Sequence, residues 1–350
     1  MTKIPVTVLG ATGVVGQRIV RRIVGHPSFR LAGVAASARS VGKRYADTIH
    51  WAEEELPAEV RDLAVLPCTP EGAWAPIVLS ALDAETAREV EPAFARAGCL
   101  VITNASAHRL DEDVPLIIPE INPGHLGLLD VQRERRGWEG GIVANPNCAT
   151  AVLALAIAPL VPFGIRRIAV TTLQAASGAG HPGVASLDLL GNVIPWIEGE
   201  EDKLREEPRK IFGQMGSSGL ISGSFLVSPQ VTRVPVPHGH MACITVELEK
   251  ALEAREALEA YDGWAPAVTL VAGQARPQPR LDVERGGGMT VTVGQLREDG
   301  VFGLRLVALG HNLERGAAGA AVANAELAAR LPPDRLAGYF TGRLERWPSG

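Results

Sequence analysis

The chain is poor in the features that mark secreted, membrane-spanning or nucleic-acid-binding proteins. It has four cysteines in 350 residues, Cys68, Cys99, Cys148 and Cys243, scattered and with no C-x-x-C pair. This argues against a disulfide framework or a zinc site and fits a reducing compartment. No uninterrupted apolar run reaches the ~18 residues that a membrane span needs. There is no strongly basic run and the formal net charge is -5, so no nucleic-acid surface is expected. The first residues, Met1 to Val6, lead into a strand pattern with no signal-peptide pattern, so the expected location is the cytoplasm. Aromatic residues make up 5% of the chain. Few aromatics with many Ala, Gly and Val fit an α/β enzyme better than a β-sandwich. Internal repeats and low-complexity segments are missing.

What is present is ample apolar material, 46% of the residues, and a length that suggests two domains. In the first part strands and helices alternate. Val6–Leu9, Leu31–Ala36, Ile77–Leu82 and Leu100–Asn104 read as buried strands, and helical patterns follow Gly16 and span Ala84 to Ala97. That alternation predicts an α/β fold with a parallel sheet covered on both faces. Near Cys148 the character changes. The segments Ile168–Leu173, Phe225–Val227, Met241–Leu248, Met289–Val293 and Phe302–Val307 are longer or more alternating. They predict a second domain with a mixed, largely antiparallel sheet. Gly316 to Ala329 reads as an Ala-rich helix, and Arg346 to Gly350 as a loosely held tail.

Gly10-Ala11-Thr12-Gly13-Val14-Val15-Gly16 joins the first strand to the first helix. Glycines there permit a tight turn and close approach of a pyrophosphate, which then faces the helix N-terminus. The spacing points to a Rossmann-type dinucleotide site; the competing reading is a turn that needs glycine only for packing. NAD-selective folds carry an acid after the second strand. Here the segment is Ser37-Ala38-Arg39-Ser40-Val41-Gly42-Lys43, with hydroxyls and cations instead. Ser37, Arg39 and Ser40 suit the 2′-phosphate of NADP, unless this is only a solvated polar loop.

Ala144-Asn145-Pro146-Asn147-Cys148-Ala149-Thr150 breaks regular structure and then starts an apolar helix pattern. A thiolate at a helix N-terminus is stabilised by unpaired N–H groups and the helix dipole. Backbone N–H groups there are also candidates for an oxyanion site. A buried, inert thiol is the alternative reading. A thiolate needs a proton partner. Arg233-Val234-Pro235-Val236-Pro237-His238-Gly239-His240 offers two histidines and an Arg suited to a carboxylate or phosphate. In extended structure His238 and His240 share a face, whereas a turn at Gly239 separates them. The charge run Glu198 to Lys203, taken alone, reads as a solvated helix face. Arg109 follows a late strand of the nucleotide domain, where such folds bind ligands.

Taken in order, these segments resemble the aspartate-β-semialdehyde dehydrogenase family, in the branch common in archaea and fungi. The matching segments are the glycine loop; Ser37 to Lys43; Asn104-Ala105-Ser106 with His108-Arg109; Pro146 to Thr150; Gln174-Ala175-Ala176-Ser177-Gly178-Ala179-Gly180; Asn192 to Ile197 with Gly199 to Lys203; Arg233 to Val236 with Gly239-His240; and Gly310-His311-Asn312 with Arg315 to Gly319. The resemblance implies an NADP-binding domain over 1–147, completed by a C-terminal helix in 312–350. A catalytic and dimerisation domain would span 148–311, in a homodimer or homotetramer, with no metal.

It also implies roles. Cys148 would be the nucleophile, His240 the acid–base group, and Gln174 an orienting group for the acyl moiety. Asn147 would lie beside the nucleophile. Arg233 would hold the substrate carboxylate and Glu200 its ammonium. Lys203, Arg109 and Asn104 would hold phosphate. Gly10, Thr12, Gly13, Val14, Val15 and Gly16 would bind the cofactor, with Ser37, Arg39, Ser40, Ser177, Gly178 and Asn312. The implied reaction is NADPH-dependent reduction of β-aspartyl phosphate to the semialdehyde through a Cys148 thioester, with His240 supplying a proton. His238 stands where relatives commonly carry an acid. The scaffold also resembles those of N-acetyl-glutamyl-phosphate reductase and acyl-CoA reductases such as malonyl-CoA reductase. Glu200, Lys203 and Arg233 favour a substrate with ammonium, phosphate and carboxylate groups. A non-catalytic NADP-binding protein would have no need of Cys148 and His240.

Overall fold

The computed structural model of the protein describes residues 3–49, 55–216 and 219–329. The chain divides into two compact units. One holds Met1–Asn145, Met215–Leu220 and Ala321–Gly350; the other holds Pro146–Gln214 and Ile221–Ala320.

The first unit is built on six strands: β1 (Ile4–Leu9), β2 (Phe29–Ala36), β3 (Val65–Pro67), β4 (Ile77–Ser80), β5 (Leu100–Thr103) and β6 (Gly141–Ala144). They are ordered β3-β2-β1-β4-β5-β6, and every pairing is parallel. Most of their residues are buried, completely so in β4, β5 and β6, as a sheet covered on both faces requires. The order reverses between β1 and β4, the switch point of a doubly wound nucleotide-binding sheet. Helices α1 (Val14–Ile23), α2 (Pro70–Ala73), α3 (Ala84–Arg96) and α4 (Leu128–Arg136) complete the alternation. Asp83 caps α3 by accepting Thr86 N–H. Arg21 and Arg22 sit in the last turn of α1, where cations suit the helix dipole.

The second unit starts with α5 (Cys148–Ile157), followed by β7 (Ile165–Gln174), α6 (Ser186–Leu189) and α7 (Glu200–Ile211). Every residue of α5 after Cys148 is buried, which is why this helix is apolar on all sides. The chain then leaves this unit for a two-stranded ribbon of β8 (Gln214–Gly216) and β9 (Gly219–Ile221), of which Met215–Leu220 belongs to the first unit. Then follow β10 (Leu226–Arg233), β11 (His240–Leu248), α8 (Ala254–Glu259), β12 (Val268–Leu270), α9 (Pro279–Asp282), β13 (Val291–Asp299) and β14 (Gly303–Gly310). The sheet is ordered β10-β7-β11-β14-β13-β12. β7, β11, β14 and β13 pair antiparallel, with parallel pairs at both edges. This is the mixed, largely antiparallel sheet expected.

The helix expected from Gly316 begins differently. Glu314–Ala318 forms a wide, π-type turn, and α10 (Gly319–Ala329) continues from it. A Cβ on Gly316 would lie 2.8 Å from Cys148 Cα and closer still to its Cβ. The wide turn and the missing side chain let this backbone pack on the cysteine. Residues 330–350, including the expected tail, lie outside the described residues.

Candidate active site

In the first unit, the turn after β1 is shaped by glycine. Gly10 has φ +67, and a Cβ there would stand 2.6 Å from Ala81 O. A Cβ on Gly16 would strike Gly10 O. Gly13 is different: it is exposed, and an added Cβ would meet only Gly10 O at 3.5 Å. Its backbone is therefore open to a ligand. Gly13 is also the N-cap of α1, with no side-chain cap and no acid in the first turn. The buried Tyr45 donates its hydroxyl to Ala11 O at 2.7 Å and pins the loop from below. Beyond β2, Ser37, Arg39 and Lys43 are exposed and Ser40 is half-buried. An open N-terminus followed by hydroxyls and cations fits a dinucleotide with a 2′-phosphate.

Asn104 and Arg109 come together at the end of β5. Arg109 Nη2 donates to Asn104 O at 2.7 Å. Asn104 Nδ2 donates to Ser80 O at 3.1 Å, and its Oδ1 accepts from Asn145 Nδ2 at 3.0 Å. Asn145 in turn accepts from Asn324 Nδ2 at 2.5 Å.

The second unit gathers the remaining residues. Asn147 caps α5, its Oδ1 accepting the N–H groups of Ala149 and Thr150 at 2.9 and 3.3 Å. Those two donors are thereby occupied, so they do not form the oxyanion site expected at this helix start. Cys148 is half-buried, and its Sγ lies 3.1 Å from His240 Nε2. The other ring nitrogen, Nδ1, accepts Ala175 N–H at 3.1 Å. Because a backbone N–H can only donate, the neutral ring carries its proton on Nε2, facing the sulfur. Burial, with the nearby Arg233 charge adding to it, pushes His240 down to about 3.

Glu200 heads α7 and is buried. Its carboxylate accepts from Asn147 Nδ2 at 3.0 and 3.1 Å, from Gln174 Nε2 at 3.2 Å and from Lys203 Nζ at 2.7 Å. Burial pushes this carboxyl up, but Lys203, Gln174 and Asn147 outweigh it and hold the group below its usual value. The solvated-face reading of this charge run is corrected at Glu200, which faces inward as Leu204, Glu207 and Ile211 do further along α7, while Glu198 and Asp202 are exposed. Arg233 ends β10, where reciprocal backbone bonds to Ile194 fix it at 3.0 and 2.8 Å. Its Nη1 donates to Ala175 O at 2.8 Å. Burial lowers the Arg233 pKa, opposed by Cys148 and Glu200. Gly178 lies against this pair: a Cβ there would stand 2.8 Å from Arg233 Nη1 and 2.9 Å from His240 Cε1.

Gly239 has φ +100, so it turns the chain and parts the two histidines. His240 meets the sulfur. His238 instead places Nδ1 3.0 Å from Ser177 Oγ and stacks on His311 with centroids 5.1 Å apart. Asn312 ties the two segments, accepting Gly239 N–H at 2.9 Å and donating to Ser177 Oγ at 2.9 Å. Motif reading did not single out Tyr45 and Asn145, which support candidate residues of the first unit, or Glu207 and Gly316, which support those of the second. Gly316 lay inside a matched segment, but only its contact with Cys148 reveals its role.

A Rossmann-type sheet in one unit, and a helix-capped thiol with a buried imidazole in the other, suit thiol-dependent aldehyde chemistry. The family described as semialdehyde dehydrogenase, NAD binding domain, matches residues 5–128. The semialdehyde dehydrogenase dimerisation domain matches residues 157–315. By class, then, this is a semialdehyde dehydrogenase. An aspartate-semialdehyde dehydrogenase of Archaeoglobus fulgidus is 48% identical over 332 residues, 92% of this chain and 97% of the relative. The crystal structure of aspartate semialdehyde dehydrogenase with NADP from Candida albicans superposes with a TM-score of 0.85 at 36% identity, covering 94% of this chain and 99% of that one. Aspartate semialdehyde dehydrogenase II complexed with ASA, from Vibrio cholerae, gives 0.79 at 29% identity, covering 95% and 99%. The chain belongs to the aspartate-semialdehyde dehydrogenase family.

Proposed function

We propose that the protein carries out NADPH-dependent reductive dephosphorylation of L-aspartyl-4-phosphate to L-aspartate-4-semialdehyde, in the biosynthesis of aspartate-derived amino acids. The reading rests on family membership and on one observation above all. That observation is the Cys148 sulfur at the N-terminus of α5, 3.1 Å from His240 Nε2. The first unit is the NADP-binding unit, and the second carries catalysis and self-association in a homodimer or homotetramer. The protein works in the cytoplasm.

Cys148 thiolate, favoured by the α5 dipole and by Nε2–H of His240, attacks the acyl carbon. The carbon–oxygen bond to phosphate breaks and an acyl thioester remains on Sγ. Arg233 holds the α-carboxylate as a planar fork, and Glu200 holds the ammonium. Lys203, Asn104 and Arg109 hold the departing phosphate. Gln174, and Asn147 beside the nucleophile, orient the acyl group. When bound at Gly10–Gly16, Ser37, Arg39 and Ser40, with Ser177, Gly178 and Asn312 toward the nicotinamide end, NADPH supplies hydride. His240 Nε2–H then hydrogen-bonds the alkoxide of the thiohemiacetal. As the carbon–sulfur bond breaks, its electron pair returns to Sγ and the semialdehyde leaves. The Ala175 N–H at Nδ1 disfavours a second proton on the ring, so His240 acts foremost as a hydrogen-bond donor.

Steady-state assays test this reading. Phosphate-dependent oxidation of aspartate semialdehyde with NADP is the expected activity. Turnover with malonyl-CoA alone would overturn it in favour of an acyl-CoA reductase.

A further inference from the structure

Helix α7 makes a second contact with the Cys148 turn. Glu207 is 1% exposed, and its Oε2 accepts the backbone N–H of Asn147 at 2.7 Å. Glu200 and Glu207 are seven residues apart, two helical turns, so they share one face of α7. One carboxylate holds the Asn147 side chain, and the other holds its backbone. The third anchor is the Asn147 Oδ1 cap on α5. Asn147 is therefore tied at three points, immediately before the sulfur-bearing residue.

The position of that peptide matters because its partner cannot follow it. His240 is held from behind by Ala175 N–H, so the ring does not track a displaced sulfur. Removing a buried charge-assisted bond also leaves Asn147 N–H without that acceptor, a loss a water cannot readily make good in a closed interior.

We propose that Glu207 is a positioning residue for the nucleophile: it fixes the Asn147–Cys148 peptide so that Sγ meets His240 Nε2. It would thus couple the presentation of the thiol to the helix that carries Glu200 and Lys203. The proposal rests on Cys148 being the nucleophile.

The test compares Glu207→Ala, Glu207→Asp and Glu207→Gln in the full-length protein. The readouts are kcat, KM, thermal midpoint, and the rate at which iodoacetamide alkylates the Cys148 peptide, followed by mass. Glu207→Ala and Glu207→Asp, which remove or withdraw the acceptor, lower kcat by ~100-fold, the cost of about 1 Å of misplacement. KM for semialdehyde and phosphate stays within about twofold, and Cys148 alkylation slows in parallel. Glu207→Gln keeps an acceptor and restores most of both rates. Wild-type kcat and alkylation in Glu207→Asp overturn the proposal. So do equal losses in all three variants that simply track the thermal midpoint. A Cys148→Ala protein that still turned over would sink the nucleophile reading instead, leaving the alkylation comparison, which reads the thiol's environment and not turnover, intact.

Discussion

Cys148 Sγ and His240 Nε2 lie 3.1 Å apart, and the far side of the same ring accepts Ala175 N–H. The ring is thus neutral and locked in one tautomer. Its folded pKa is lowered from 6.5 to about 3, by burial first and Arg233 second. Between those values the unfolded chain binds a proton that the folded chain does not. This contribution to stability is complete above pH 6.5 and is lost as pH falls toward 3. Relative to His240→Gln, the wild type should lose about 1.4 kcal/mol per pH unit across that window. Urea melts of both proteins from pH 7 to pH 4 check this; a constant difference contradicts it.

Gly316 packs its backbone on Cys148, and an added Cβ would stand 2.8 Å from Cys148 Cα. Both neighbours are backbone or first side-chain atoms, so neither can swing away. Gly316→Ala should lower stability by about 1–3 kcal/mol and kcat by ~100-fold. Calorimetry and initial rates measure the two effects, and a variant with unchanged kcat would show that the close packing is incidental.

Cofactor choice is expected to rest on the exposed segment after β2. Arg39→Asp adds a carboxylate where a 2′-phosphate would sit and removes a cation. It should shift the ratio of kcat/KM for NADPH over NADH by ~10–100-fold toward NADH, the worth of one charge-assisted hydrogen bond. Equal values for both cofactors in the wild type would already contradict this assignment.

Lys203 donates to Glu200 at 2.7 Å and is proposed to meet phosphate. Lys203→Met should raise KM for phosphate by ~10-fold or more. It also removes the largest influence opposing the burial of Glu200, so the Glu200 carboxyl should titrate higher. Phosphate-dependence of the initial rate, repeated across pH, reads both changes.

The parts of the fold legible in the sequence are the local ones. β1, the glycine loop and α1 follow one another within about twenty residues, so spacing alone exposed them. The Asn147–Cys148 start of α5 was legible because the cap and the helix it caps are adjacent. β6 was not expected: its four residues follow Gly140, and only pairing with β5 makes them a strand. The inward turn of Glu200 and Glu207 was hidden for a related reason. A glutamate-rich helix looks solvated until partners such as Asn147 and Gln174, distant in sequence, arrive to satisfy it. The two histidines of His238-Gly239-His240 could not be told apart until the φ of Gly239 was known. Gly316 carries no chemistry of its own, so only its contact with Cys148 gives it meaning.

Cys148 is proposed to carry the acyl group as a thioester. Rapid mixing of the protein with aspartate semialdehyde and NADP, with phosphate left out, tests it most directly. A burst of NADPH of about one equivalent per Cys148 is expected, because an acyl-enzyme accumulates. An acyl mass on the Cys148 peptide should accompany the burst, and neither should appear in Cys148→Ala. Steady NADPH formation without a burst, or a burst that survives Cys148→Ala, would contradict it.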